Sequence, residues 1–350
     1  MRSLTQFPHA NEDRGAVLVL VAVMMTALVG MAALVIDIGS LYVEKRELQN
    51  GGDAAALAVA QDCAAGDCGN EAAMAQTYAN NNSRDAASTL DAVCGVGPSL
   101  ATCTDAAPPL PSGASGWVRV RTSTATPDGG DEVDFFLAPV INGGSGGTVR
   151  ASAVAAWGPV GSAIASPLTV SQCEFQALGG NLSAGTFPTG SATFYFHGVG
   201  GTSSEPGVTR CTASPSGQDL PGGFGWLDSS TSCRLSLSAD GWVSGDSGNN
   251  VPAGCVLSTW RNQELVVAIY DAERGTGGGE YHIAGFIGLI ITGYRFPGGP
   301  ANRWPSSFTC PAAPGGSGSC IRGEFSRFST SLGTFGGGAD FGGRVIRMVG

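Results

Sequence analysis

The sequence predicts an α+β membrane protein. An N-terminal transmembrane helix continues outward as an extracytoplasmic helix packed on a small antiparallel sheet, and a mostly-β, disulfide-containing C-terminal domain follows. Three observations carry this expectation. Ala16–Ile36 is a run of 21 residues without a charge. The 350-residue chain holds 55 Gly and 19 Pro, which argues against a helix bundle because both are poor in helix interiors. All ten cysteines lie beyond residue 60.

The apolar run comes first. At ~1.5 Å per residue it spans roughly 32 Å, the thickness of a hydrocarbon core. It is longer than the ~7–15-residue apolar region of a secretory signal and passes directly into Asp37, so an uncleaved anchor is expected. Arg2 and Arg14 precede it while Lys45 and Arg46 follow it, so basic residues leave its orientation open. The cysteines orient it: disulfides form in oxidising compartments, which puts the long C-terminal part outside and the N-terminus in the cytoplasm. Within the run, Ala22, Thr26 and Gly30 recur at four-residue spacing. Small side chains on one face let another helix approach closely, although an Ala-rich composition produces the same stripe.

Beyond Asp37 the pattern remains helical. Leu41, Leu48, Ala55 and Val59 share one stripe, with Arg46, Glu47 and Asp53 off it. Gly51-Gly52 interrupts this helix, which is expected to run from Ile38 to about Asp62, and a bend is plausible there. Glu71 to Asn80 reads as a short helix. Trp117 to Thr122 alternates as a half-buried strand should, Thr148 to Trp157 reads as another strand, and Asp134 to Ile141 is a short apolar run. Gly158-Pro159 reads as a boundary. The resulting division is a cytoplasmic tail at 1–15, a transmembrane helix at 16–36, a helix plus small sheet at 37–160, and an extracytoplasmic β-domain at 161–350. In the last, short apolar runs at Ala192–Phe196, Gly225–Leu227, Leu265–Tyr270, Tyr281–Tyr294 and Arg344–Val349 alternate with Gly/Pro/Ser-rich gaps, as in a sandwich or barrel. Gly285 to Thr292 is too short to span a membrane as a helix and reads as a buried core strand.

Composition excludes several functions. Net charge is −10 and Lys45 is the sole lysine, so nucleic acid is not expected as a partner. The cysteines are Cys63, Cys68, Cys94, Cys103, Cys173, Cys211, Cys233, Cys255, Cys310 and Cys320, with no C-x-x-C among them, which disfavours zinc and thioredoxin-like readings. They are disulfide candidates. The neighbours Cys63/Cys68, Cys94/Cys103 and Cys310/Cys320 are the natural pairs, but spacing leaves the connectivity open. His9, His197 and His282 are the only histidines, and no metal or cofactor is expected. Gly143-Gly-Ser145-Gly-Gly147 fits G-x-S-x-G as a string, but a nucleophile elbow needs a strand-to-helix turn. Asp128–Glu132 and Asp246–Asn250 offer oxygen ligands of the kind calcium takes, and such strings more often form turns.

Several elements also resemble a known family. Arg14-Gly15-Ala16, the apolar run, Val35-Ile36-Asp37-Ile38-Gly39, Leu41-Tyr42-Val43, Glu47-Leu48-Gln49-Asn50 and Asp53-Ala-Ala-Ala-Leu-Ala58 keep the order and spacing of the N-terminal region of TadG-like proteins. These belong to the tight-adherence (Tad) machinery that assembles Flp pili. Val266 to Gly298, with Gly223 to Asp228, resembles the outer domain of a TadG-related group. The resemblance implies a pilin-like plan for the helix and small sheet, a non-enzymatic role, and as partners the membrane and other Tad/Flp pilus assembly proteins. Two departures stand out. TadE-type pseudopilins carry a Glu five residues into the apolar segment, whereas Ala16 to Leu20 has no acid, so prepilin processing is not expected. Asp228-x-Ser230-x-Ser232 matches the metal-binding string of von Willebrand A domains, but the residues before it do not form the required hydrophobic strand. The function expected is thus a membrane-anchored pilus assembly component. The alternatives are a surface adhesin binding ligand through its β-domain and a membrane-anchored hydrolase using Ser145.

Overall fold

One helix carries both the apolar run and the amphipathic stripe. In the computed structural model α1 extends over Asp13–Ala65, 53 residues without interruption. The structure describes residues 13–136, 139, 143–195, 224–228, 233–246, 250–274, 279–310 and 319–349. After α1 come α2 (Glu71–Asn81), β1 (Thr89–Val96), β2 (Gly116–Ser123), β3 (Val133–Asp134), β4 (Gly146–Gly147), β5 (Arg150–Ala165) and β6 (Leu168–Ser171). Next are α3 (Gln172–Ala177), β7 (Ser191–Tyr195), β8 (Phe224–Leu227), β9 (Leu235–Ser238), β10 (Gly241–Asp246), β11 (Glu264–Arg274) and β12 (Glu280–Arg295). The last are β13 (Arg303–Trp304), β14 (Cys320–Ser326), β15 (Phe328–Thr330), β16 (Thr334–Phe335) and β17 (Gly343–Met348).

The chain divides into two units. The first takes Met1–Ala55, Ala72–Val93 and Val120–Ala153; the second takes Ala56–Glu71, Cys94–Arg119 and Val154–Gly350. One sheet has the strand order β1-β2-β5-β17-β15, with β9 and β16 also on β5; the other runs β10-β8-β6-β11-β12-β14-β7. Both are mixed, since β6 pairs parallel with β11 and β15 parallel with β17.

Within the first unit, α1 lies against both α2 and strands. The Thr122 hydroxyl donates to the Leu48 carbonyl at 3.2 Å. A Cβ added at Gly52 would touch the Ala153 Cβ at 3.4 Å, and one at Gly51 would reach the Ala79 carbonyl oxygen at 2.9 Å. The helix continues through Gly51-Gly52 without a break. Gly51 lets the α2 backbone approach at Ala79, while Gly52 faces Ala153 and Thr122. On the same unit Arg84 pairs with Glu47 at 3.0 Å, and Gln76 bridges the Asn80 side chain and the Ser88 carbonyl at 2.8 Å each.

Within the second unit the core lies on β11 and β12. Phe286, Ile287, Leu289 and Ile291 of the Gly285–Thr292 segment are all buried. Trp226 meets Phe296 at 5.2 Å between ring centroids, and Phe175 meets Phe341 edge-on at 5.1 Å. Phe175 sits on α3, a short helix where only strands were expected; the Ser171 hydroxyl caps it by accepting from the Cys173 N–H at 3.2 Å. β5 also runs past the predicted end at Trp157, straight through Gly158-Pro159. Proline is tolerated there because β17 pairs antiparallel across residues 155–159 and the ring costs only one donor. Disulfides join Cys63–Cys68, Cys94–Cys103, Cys233–Cys255 and Cys310–Cys320. Cys173 is disulfide-bonded as well, and Cys211 lies outside the described residues.

Candidate membrane segment and its exit

An apolar helix in a folded protein ordinarily hides at least one face. The first turns of α1 do not. From Val17 to Ile36 the large side chains are 50–71% exposed, and as far as Val29 the residues are exposed on every side of the helix. The stretch is long and apolar enough to cross a bilayer. Ala22 and Thr26 are exposed and Gly30 half-buried, and a Cβ on Gly30 would meet nothing within 4 Å. The Thr26 hydroxyl donates to the Ala22 carbonyl at 2.6 Å, so its proton is satisfied within its own helix, as a hydroxyl in an apolar medium requires.

Burial begins one turn before the first charge. Ala33 and Asp37 lie on one face and are 1% and 7% exposed. The Asp37 Oδ1 accepts the Phe136 backbone N–H at 2.8 Å. Ser40 donates to the Asp37 carbonyl at 2.7 Å. Beyond this exit Leu48, Ala55, Ala56, Val59 and Ala60 are all buried. Of the sequence stripe, Leu48, Ala55 and Val59 are core, while Leu41 is half-buried near Phe135 and Gly147.

The charges just past the exit are tethered. Lys45 donates to the Arg150 carbonyl. Burial pushes the Glu44 carboxyl above its usual value; the Thr124 hydrogen bond opposes this, and the Asp85 and Glu47 carboxylates add to it.

The residues with chemical potential are dispersed. Ser145 is exposed, its carbonyl accepts from Phe135 N–H at 3.0 Å, and the glycines after it form β4 in a two-stranded ribbon with β3 rather than opening a helix. His282 contacts Asp271 at 2.6 Å and lies against Trp242, whose ring also carries Arg274 at 4.2 Å. His197, Ser230 and Ser232 lie outside the described residues. Asp128 to Glu132 sits on a turn closed by Thr126, whose N–H donates to the Gly130 carbonyl at 2.9 Å. Among the described residues no group of three or more His, Cys, Asp or Glu side chains is placed to hold a metal ion. A cavity of about 220 Å³ in the second unit is lined by Phe175, Phe187, Arg327, Asp340 and Arg344. Its cations are occupied: Arg327 donates to the Ala65 carbonyl and Arg344 pairs with Asp340 at 2.5 Å.

The sequence reading found the apolar run and the motif around Asp37 but missed Phe136. No local pattern marks a backbone N–H that binds a carboxylate 99 positions earlier.

Comparison with known families agrees with this placement. Residues 15–62 match the family described as putative Flp pilus-assembly TadE/G-like. The chain therefore carries a TadE/G-like segment, which includes the exposed run, Asp37 and the first buried turns of α1. No curated protein and no solved structure matches the chain.

Proposed function

We propose that the protein is a single-pass, membrane-anchored component of Tad/Flp pilus assembly that works by anchoring and protein–protein interaction. One observation carries this reading: the TadE/G-like segment begins as an apolar helix exposed on all sides and continues, unbroken, into turns buried in a folded unit. Exposed apolar surface of this extent is unfavourable in water, at ~25 cal/mol per Å², and favourable in lipid.

The N-terminus is cytoplasmic and the folded part extracytoplasmic. The disulfides support this orientation, because thiols remain reduced in the cytosol. The first unit follows a pilin-like plan, with α1 set against strands through Leu48, Thr122 and Gly52. Its membrane partner helix packs on the Ala22/Thr26/Gly30 face, where Ala22 and Thr26 are exposed and a Cβ at Gly30 meets nothing within 4 Å among the described residues. Other Tad/Flp assembly proteins are the partners.

Alkaline extraction of membranes followed by external proteolysis tests the anchor and its orientation. The full chain is expected in the extracted pellet, with disulfide-linked fragments released from the outside. Release of the intact chain at alkaline pH, or protection of the folded part in right-side-out cells, defeats the reading. Loss of pili on deletion of the gene, restored by the wild-type copy, tests the assembly role.

A further inference from the structure

The exit of α1 holds a buried carboxylate that the anchoring role leaves unexplained. Burying a carboxylate is costly without hydrogen bonds. Asp37 is buried directly after the uncharged run, and its Oδ1 takes the Phe136 N–H. This fixes the Phe136 backbone beside α1 at the level of Asp37, directly after the uncharged run. The two neighbouring rings differ there. Phe135 is half-buried near Leu41 and Gly147, whereas Phe136 is 75% exposed. In sequence Phe136 is followed by Leu137-Ala-Pro-Val-Ile141, again without a charge.

Ala33 adds an independent observation. It lies four residues inside the run from Asp37, about 6 Å deeper at the helix rise, yet it is 1% exposed while Leu34, Val35 and Ile36 remain open. Burial on this face of the helix thus begins within the apolar run, one turn before Asp37. Aromatic side chains favour the interfacial level of a bilayer.

We propose that Phe136 is a second membrane contact, its ring inserted into the outer leaflet beside α1, with Asp37 as the positioning residue and the lipid bilayer as the partner. The proposal rests on reading Val17–Ile36 as a membrane span. It gives the helix exit two points of contact with the bilayer, which fixes the height and rotation of the first turns beyond it.

The test uses the full chain in native membranes, with a photoreactive phenylalanine analogue at position 136 or, in a second protein, at position 20. Irradiation followed by mass spectrometry is expected to show lipid adducts at both positions. Adducts at position 20 but none at 136 overturn the proposal and leave the span intact. Protein adducts at 136 also overturn it, assigning the ring to a protein partner. Absence of lipid adducts at both positions removes the span and the proposal with it. Asp37→Asn keeps an acceptor oxygen and is expected to preserve the yield at 136. Asp37→Leu keeps a side chain of similar length but loses the acceptor; it is expected to lower the yield about tenfold, the ratio set by one hydrogen bond. Equal yields in all three proteins overturn the positioning role of Asp37.

Discussion

The two halves of α1 belong to one unbroken helix and have opposite environments. Leu20, Leu28 and Leu34 stand 56–60% exposed, while Leu48, Ala55 and Val59 on the same helix are at most 2% exposed. The difference lies in the size of the apolar side chains and in their distribution around the axis. Large residues all round leave no face for water. Beyond Asp37, charges flank a stripe that runs from Leu41 and Leu48 to Ala55 and Val59, and Gly51 lets α2 approach while Gly52 faces Ala153. The first half is long and apolar enough to cross a bilayer, and the second is buried against protein.

The largest expected effects separate the halves by charge. Leu28→Arg places a cation mid-span, at a cost of ~2.5–3.5 kcal/mol on insertion scales, and is expected to reduce the alkali-resistant membrane fraction sharply. Val59→Asp buries an unpaired charge of several kcal/mol; it is expected to leave membrane retention intact while making the folded part protease-sensitive. Unchanged retention for Leu28→Arg would erase the distinction between the halves.

Reduction is expected to act on one side only. Every disulfide-bonded cysteine described belongs to the second unit, and each bond is typically worth ~2–4 kcal/mol. Reductant should therefore lower the melting temperature and protease resistance of that unit without releasing the chain from membranes. Intact mass with and without reductant counts the bonds.

Two glycines sharpen the comparison. Gly51→Leu drives a side chain into the Ala79 backbone and is expected to cost ~1–3 kcal/mol, read by thermal unfolding. A Cβ at Gly30 meets nothing within 4 Å among the described residues, and Gly30→Leu is expected to leave stability and insertion unharmed. If the small-residue face packs on a partner helix, the same substitution impairs piliation at normal protein levels; wild-type piliation would retire that face.

The smallest effect concerns Glu44. Burial raises its folded pKa, so the folded state holds the proton more tightly than the unfolded chain does. Stability is therefore expected to fall as pH rises from the ordinary glutamate value through the raised one, and to level off above it. Glu44→Gln should flatten that slope in melting temperature against pH; an unchanged slope assigns it to other groups.

Much of the architecture was legible in the sequence. The β11 and β12 runs were read closely because their alternation and apolar content are local properties. The chemistry of their pairing was not. Asp271 sits at a register irregularity between Tyr270 and Ala272, and this offset brings its carboxylate to His282. Gly225 and Tyr281 fall in two separate apolar runs, and only the fold shows that a Cβ at Gly225 would strike the Tyr281 hydroxyl at 2.4 Å. β1 was missed altogether, since its Thr89–Val96 segment carries an Asp and a Gly and lacks a clear period.

The sequence by itself determined the apolar span, the helical character of the segment after it and the strand-rich C-terminal part. Each of these arises from short-range composition and periodicity, because hydrophobic transfer and backbone propensity add up residue by residue. Tertiary structure alone decided that Gly51 lies against Ala79, that β5 crosses Gly158-Pro159, that Cys233 pairs with Cys255, and that Asp37 holds Phe136. Those outcomes depend on which distant backbone supplies the neighbour, hydrogen-bond partner or thiol, and a one-dimensional pattern carries no record of that proximity.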